Sequence, residues 1–387
     1  MRVLLLPSWY PNDKQPLNGI FFKEQAEALH KEGVEVIVLS INIEDIRKIN
    51  FKEKHNNLEI SNENGIKVYR YNTYNYFPKM QELYLKYYVK ILKKLMKKIS
   101  ENEGIIDLVH IHSALDMGIA YSIANINLPY VITEHSTKYS RGLINKTQNK
   151  YLGNVFKNAE RVLVVGNGLK KEVSKYIDMG QIYIVPNLVK MPKISIDNIE
   201  KNNSRKFRFF SLGFLTYKKG MDLLIEAFNL GKDNFKNVEL LIGGSGEEMN
   251  RLKVLIDKYN LSNKVYLLGG LNREEVAKNM QECDCFILAS RFETFGIVYI
   301  EAMNYGKPVI ASITGGPDTF LNEKCGILVE NENVEEIKNA MIKMISNYSK
   351  YDKGYISKFC EDNFSEKIIA NKVISIYRKV IDNKNVT

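Results

Sequence analysis

The chain has 387 residues, 45% of them hydrophobic and 26% charged, a length that exceeds one core and calls for two domains of similar size. Its formal charge of +10 rests on 27 Lys and Arg against 19 Asp and Glu over residues 1–190, with 28 against 26 beyond; a basic first half suits an anionic substrate, an anionic membrane surface or nucleic acid, and no nucleic-acid motif accompanies it. No apolar run has the length of a membrane span, the opening Met1-Arg2-Val3-Leu4-Leu5-Leu6-Pro7 turns polar too soon for a signal peptide, and Cys283, Cys285, Cys325 and Cys360 show neither zinc nor disulfide spacing, so a reducing cytoplasm is expected.

Short apolar runs alternate with helical patterns in both halves, which predicts βαβ units and parallel sheets. Val3-Leu4-Leu5-Leu6 reads as the first strand. A helix follows, with Phe21, Phe22, Gln25, Ala26 and Leu29 on its inner face and Gly33 at its end. Val34 to Leu39, Leu108 to Ile111, Tyr130 to Thr133, Arg161 to Val165 and Ile182 to Val185 read as further strands. The polar stretch 191–206 reads as the interdomain connection. The second half restarts at Phe207-Arg208-Phe209-Phe210. It continues through strands at Val238, Val265, Cys285, Pro308 and Gly326. The expected domains are 1–190 and 207–364, with a C-terminal helical pattern over 365–387 crossing back to the first domain.

Glu293 and Glu301 lie eight residues apart, where a strand runs through a loop into a helix. That places both carboxylates at the ligand-binding end of a parallel sheet. Thr294, Phe295 and Gly296 are expected to open the helix and offer free amides to an anion. A carboxylate only accepts hydrogen bonds, which suits a sugar diol. Three other loops also follow strands. The first is Gly213-Phe214-Leu215-Thr216-Tyr217-Lys218-Lys219-Gly220, the second Gly243-Gly244-Ser245-Gly246, the third Gly315-Gly316-Pro317-Asp318. Each alone is an ordinary turn; together they mark one edge of a sheet fit for a diphosphate. Neither first strand is followed by Gly-x-Gly-x-x-Gly, which excludes a dinucleotide cofactor of the usual kind.

The run Ser290-x-x-Glu293-Thr294-Phe295-Gly296 through Glu301-Ala302-Met303 and Gly306-Lys307-Pro308-Val309 resembles the signature of retaining GT-B glycosyltransferases of family 4. Gly19, His135, Pro186-Asn187, Gly213, Lys219-Gly220, Gly243, Gly315-Gly316 and Gly326 extend the resemblance, in the expected order, along nearly the whole chain. It implies two Rossmann-like domains facing a cleft, the second binding a nucleotide-sugar. It implies that Glu301 holds the ribose, that Glu293 lies near the donor sugar, and that Lys219 neutralises the diphosphate. Amides around Thr294, Phe295 and Gly296, together with Gly213, Gly243 and Gly19, would support the donor, and His135 would lie near the transferring sugar. No metal or other cofactor is implied. The acceptor would be a glycan or lipid-linked glycan of a cell-surface polysaccharide such as capsule or lipopolysaccharide. Alternatives are a nucleotide-sugar epimerase of the same fold, or a non-catalytic carbohydrate- or membrane-binding relative. The chain departs from the family at Phe214, where an arginine commonly follows the glycine; Lys218 or Arg291 is the expected substitute.

Single residues admit two readings. His135 is a hydrogen-bonded strand-end histidine or, given the resemblance, a sugar contact. His110 and His112 share one side of a strand, with no third metal ligand evident. Trp9 and Tyr10 line an acceptor site or pack. The basic stretch 79–99, with Leu85, Tyr88, Leu92, Leu95 and Ile99 on one helical face, docks on the sheet or lies on an anionic membrane.

Overall fold

A computed structural model describes residues 1–48, 56–190 and 206–384. Most of the expected connection, 191–206, lies outside the described residues. In chain order the first sheet is built from β1 (Arg2–Pro7), β2 (Glu35–Asp45), β3 (Asn57–Glu63), β4 (Ile66–Asn75), β5 (Leu108–His112), β6 (Tyr130–Glu134), β7 (Arg161–Val164) and β8 (Ile182–Ile184). Its helices are α1 (Ile20–Lys31), α2 (Gln81–Glu103), α3 (Ile119–Ala124), α4 (Lys146–Lys157) and α5 (Asn167–Val173). The strand order is β3-β4-β2-β1-β5-β6-β7-β8, parallel except for the β3–β4 hairpin.

The second sheet holds β9 (Phe207–Leu212), β10 (Val238–Gly243), β11 (Val265–Gly269), β12 (Cys285–Leu288), β13 (Val309–Ser312) and β14 (Gly326–Val329). Its helices are α6 (Met221–Leu230), α7 (Met249–Lys258), α8 (Arg273–Glu282), α9 (Ile297–Asn304), α10 (Val334–Ser346) and α11 (Lys353–Phe364). The order is β11-β10-β9-β12-β13-β14, all parallel.

Each sheet reverses its order once, at β1–β5 in the first and at β9–β12 in the second. Such a switch point opens a crevice at the carboxyl ends of the two strands that flank it. The strands that meet there are mostly apolar, with His110, His112 and Ser211 as buried polar exceptions. Val3 to Leu6, Leu108, Val109 and Ile111 are buried, as are Phe209, Phe210 and Phe286 to Leu288. Helices covering both faces explain why apolar residues predominate along them.

The final helix, α12 (Glu366–Lys384), belongs to the compact unit formed by the first sheet. Ser365 breaks it from α11 with an extended backbone. Ile369, Ala370, Val373, Ile374, Tyr377 and Val380 are buried there in one core with Val3, Leu5, Phe22, Ala26 and Leu29. Burial of side chains this size is worth roughly 1.5–3 kcal/mol each, so α12 is an integral part of that core.

Candidate functional site

The second unit brings Lys219 and Glu293 together. Lys219 ends the turn Tyr217–Lys219 after β9, and Glu293 lies in the loop after β12, so the two project from adjacent strands at the switch point. Lys219 Nζ donates to Glu293 Oε2 at 2.6 Å across 74 residues of sequence. Both side chains are largely buried. Burial alone would raise the Glu293 pKa. The Lys219 charge and hydrogen bond, with Lys218 and the Thr294 amide, outweigh it and hold the carboxyl below its ordinary range.

Gly220 makes the turn possible. Its φ is +62°, and a Cβ there would stand 1.9 Å from the Ala289 carbonyl oxygen, so only glycine lets the Lys219 turn lie on the end of β12. The Gly213 and Gly243 loops are laced to each other. Gly213 N–H donates to Gly243 O at 3.2 Å, and Leu215 N–H to Ser245 O at 2.9 Å. Two of the three phosphate-loop candidates thus form one connected rim.

The opening of α9 differs from expectation. The helix starts at Ile297, with Gly296 as its left-handed N-cap. The Thr294 amide is not free, because it donates to Glu293 Oε1 at 3.1 Å. The Phe295 side chain is buried against Phe320 and Phe364. The amides left open at the start of the helix are therefore those following Gly296, while Thr294 and Phe295 shape the loop. Glu301 is half-buried one turn into α9. Arg291 is not a substitute for the arginine absent at Phe214. Its guanidinium is turned inward and paired to Asp222 and Glu332, whereas Phe214 is 60% exposed.

The first unit builds a second constellation at its own switch point. His110 and His112 on β5 lie side by side, with ring centres 4.1 Å apart and planes tilted by 35°. His135, just past β6, joins them through His112 Nδ1 to His135 Nε2 at 3.3 Å. His110 contacts the Tyr377 hydroxyl of α12 at 2.5 Å and Thr133 Oγ1 at 2.7 Å. Phe21 and Phe22 close over His135. Burial pushes His135 down to about 3, so its ring is neutral at physiological pH and offers hydrogen-bonding nitrogens, not a positive charge. Its Nδ1 has no partner among the described residues. Those residues include no group of three His, Cys, Asp or Glu arranged to hold a metal ion.

Glu134 fixes this arrangement. It is fully buried. Oε1 accepts from Ser113 Oγ (3.0 Å), His135 N (2.7 Å) and Ser136 N (2.8 Å), and Oε2 from Ala114 N (2.8 Å) and the Tyr139 hydroxyl (2.9 Å). A charged residue ending the apolar strand Tyr130-Val131-Ile132 was the available signal. Gly19, the left-handed N-cap of α1, packs on Trp9: a Cβ there would meet Trp9 Cδ1 at 2.8 Å. Trp9 is thus a packing residue of this loop, and Tyr10 is buried beneath Arg70.

Two family models match the chain. Glycosyltransferase Family 4 matches residues 19–191, and glycosyl transferases group 1 matches residues 193–357. A glycosyltransferase of Methanocaldococcus jannaschii, itself uncharacterized, is 25% identical over 98% of both chains. Sucrose-phosphate synthase from Thermosynechococcus elongatus superposes with a TM-score of 0.76 at 20% identity, covering 99% of each chain. HepE of Anabaena, in a complex with UDP and glucose, gives 0.70 at 17% identity over 98% of this chain and all of that one.

Proposed function

The chain belongs to the group 1, family 4 glycosyltransferases and has their GT-B fold, and from that premise we propose that it moves a sugar from a nucleotide-sugar to a glycan or lipid-linked glycan with retention at the anomeric carbon. The observation that carries this reading is the Lys219–Glu293 pair at the β9–β12 switch point. A departing diphosphate needs a fixed cation, and a donor sugar needs a fixed acceptor of its hydroxyl hydrogen bonds. The pair supplies both at adjacent strand ends, in a preorganised and largely dry setting. Glu301 is assigned to the ribose hydroxyls. The amides after Gly296 share the phosphate charge with Lys219, so protein groups neutralise the leaving group without a metal. His135, held neutral, is assigned to a hydroxyl of the transferring sugar.

UDP is the first probe, because HepE is seen with it. Nucleotide-sugars differing in base and sugar are screened by thermal shift. A matching donor at a hundredfold excess over its Kd stabilises the fold by about 2.7 kcal/mol. Absence of a shift with every nucleotide-sugar would count against the reading.

The acceptor is proposed to be presented at an anionic membrane on the cytoplasmic side, in cell-surface polysaccharide synthesis. The support is α2. Lys86, Lys90, Lys93, Lys94, Lys97 and Lys98 are all exposed along it. Its apolar face is occupied: Leu85, Tyr88, Ile91, Leu92, Leu95, Met96 and Ile99 are buried in the first unit. Contact with lipid is therefore electrostatic and does not insert the helix, unlike an interfacial anchor. No helix among the described residues is long and apolar enough to cross a membrane. Vesicles containing phosphatidylglycerol should retain the protein at low salt and release it at about 0.5 M salt. Equal binding to neutral vesicles, or none to either, rules the electrostatic contact out.

A further inference from the structure

Only 6% of the Arg291 side chain is exposed, and the residue ties three segments together. Its backbone N–H donates to Lys218 O at 2.8 Å. Nη1 donates to Tyr217 O at 2.9 Å and to Asp222 Oδ1 at 2.8 Å. Nη2 donates to Asp222 Oδ2 at 3.0 Å, and Nε to Glu332 at 2.7 Å. The guanidinium plane lies over the Tyr217 ring, 4.1 Å from its centre. The Arg291 carbonyl accepts from Asn331 at 3.0 Å. Two successive carbonyls of the turn that ends in Lys219 are thus captured by a residue two positions before Glu293.

We infer that Arg291 is a positioning residue: it holds the Tyr217–Lys219 turn against the loop after β12 and so sets the separation of Lys219 from Glu293. This rests on the donor-site reading above and assigns the residue no contact with donor. The geometry needs arginine. A planar fork can grip a carboxylate with two nitrogens, reach a carbonyl and a second carboxylate, and still sit over a phenol ring. Lysine has one nitrogen and no plane, so it can keep the charge but loses the simultaneous grip. Asp222 carries the hold into the first turn of α6, the helix that begins directly after Lys219-Gly220. Arg251 gives the far side of Asp222 a second partner at 3.1 Å.

The test is Arg291→Lys in the full chain, read by two measurements. The first is a carboxyl NMR titration of Glu293 in the ligand-free protein. The second is UDP affinity by calorimetry. The variant should fold, the Glu293 midpoint should rise as Lys219 loosens, and UDP should bind at least tenfold more weakly. An unmoved Glu293 midpoint overturns the positioning role, whatever UDP does, because support of the fold alone leaves that carboxyl as it was. If the midpoint moves but the wild type binds no nucleoside diphosphate, positioning stands and the donor reading fails. Should Arg291→Lys not fold, Asp222→Asn removes one arm of the grip and is read the same way, with a smaller shift in the same direction.

Discussion

Lys219→Ala should lower turnover by roughly 10²–10³-fold, the size of effect seen when one preorganised stabiliser of a developing charge is removed. The same change should cost about 3 kcal/mol of stability, because it leaves the buried Glu293 carboxylate without its partner. The pH dependence follows from the direction of the Glu293 shift. Its pKa in the fold lies below the ordinary value of 4.5. The stabilisation is therefore present above that value and is lost as pH falls through the lower, folded-state pKa. Wild type and variant should differ most in denaturant midpoint near neutral pH and converge in acid. Lys219→Met combined with Glu293→Gln removes both charges at similar volume. It should recover most of the stability and none of the turnover. Recovery of activity in the double variant would show that the pair serves the fold only.

Glu134→Ala should be the most damaging single change in the first unit, costing on the order of 3–5 kcal/mol. Five donors converge on that carboxylate and would lose their acceptor in a site closed to water. Glu134→Gln should cost less. Its NH2 group, placed at the Oε2 position, meets the Ala114 N–H head-on, but the Tyr139 hydroxyl can rotate and accept from it. Because Glu134 binds both the Ser113-Ala114 turn and the His135-Ser136 amides, a folded Gln variant should also bind donor normally but turn over slowly. Thermal denaturation ranks the stabilities, and steady-state kinetics separates the second effect. Equal stability of the Ala variant and the wild type would mean that water or another group satisfies those donors.

The parallel sheets and the strand ends that carry the site were legible because both depend on local pattern. Apolar runs at Val3, Leu108, Phe209 and Cys285 announced strands covered on both faces, and glycine-rich loops after them marked the ligand edge. The paired position of His110 and His112 followed from strand alternation. The hairpin of β3 and β4 escaped notice, since Asn57 to Glu63 is mostly exposed and polar and the buried residues of its pairing partner (Ile66, Val68, Tyr69, Thr73 and Tyr74) are interrupted by polar ones. β2 also runs on to Asp45, past the apolar stretch that ended the expected strand at Leu39. The site contacts that were missed are tertiary. Arg291 looked like a phosphate ligand because an arginine beside Glu293 has the right charge. Its true partners lie 41, 69 and 74 residues away, and no local pattern encodes them. Tyr377 reaches His110 from 267 residues away, on a helix whose periodicity reported its burial but not its target.

Proton NMR of the donor's anomeric centre tests retaining transfer from a nucleotide-sugar. The donor chosen by thermal shift is incubated with and without a glycan acceptor, and its anomeric signal is followed. The donor should persist without acceptor, and with acceptor a product should appear carrying the donor's own anomeric configuration. An inverted product, or a donor epimerised in the absence of any acceptor, would contradict it.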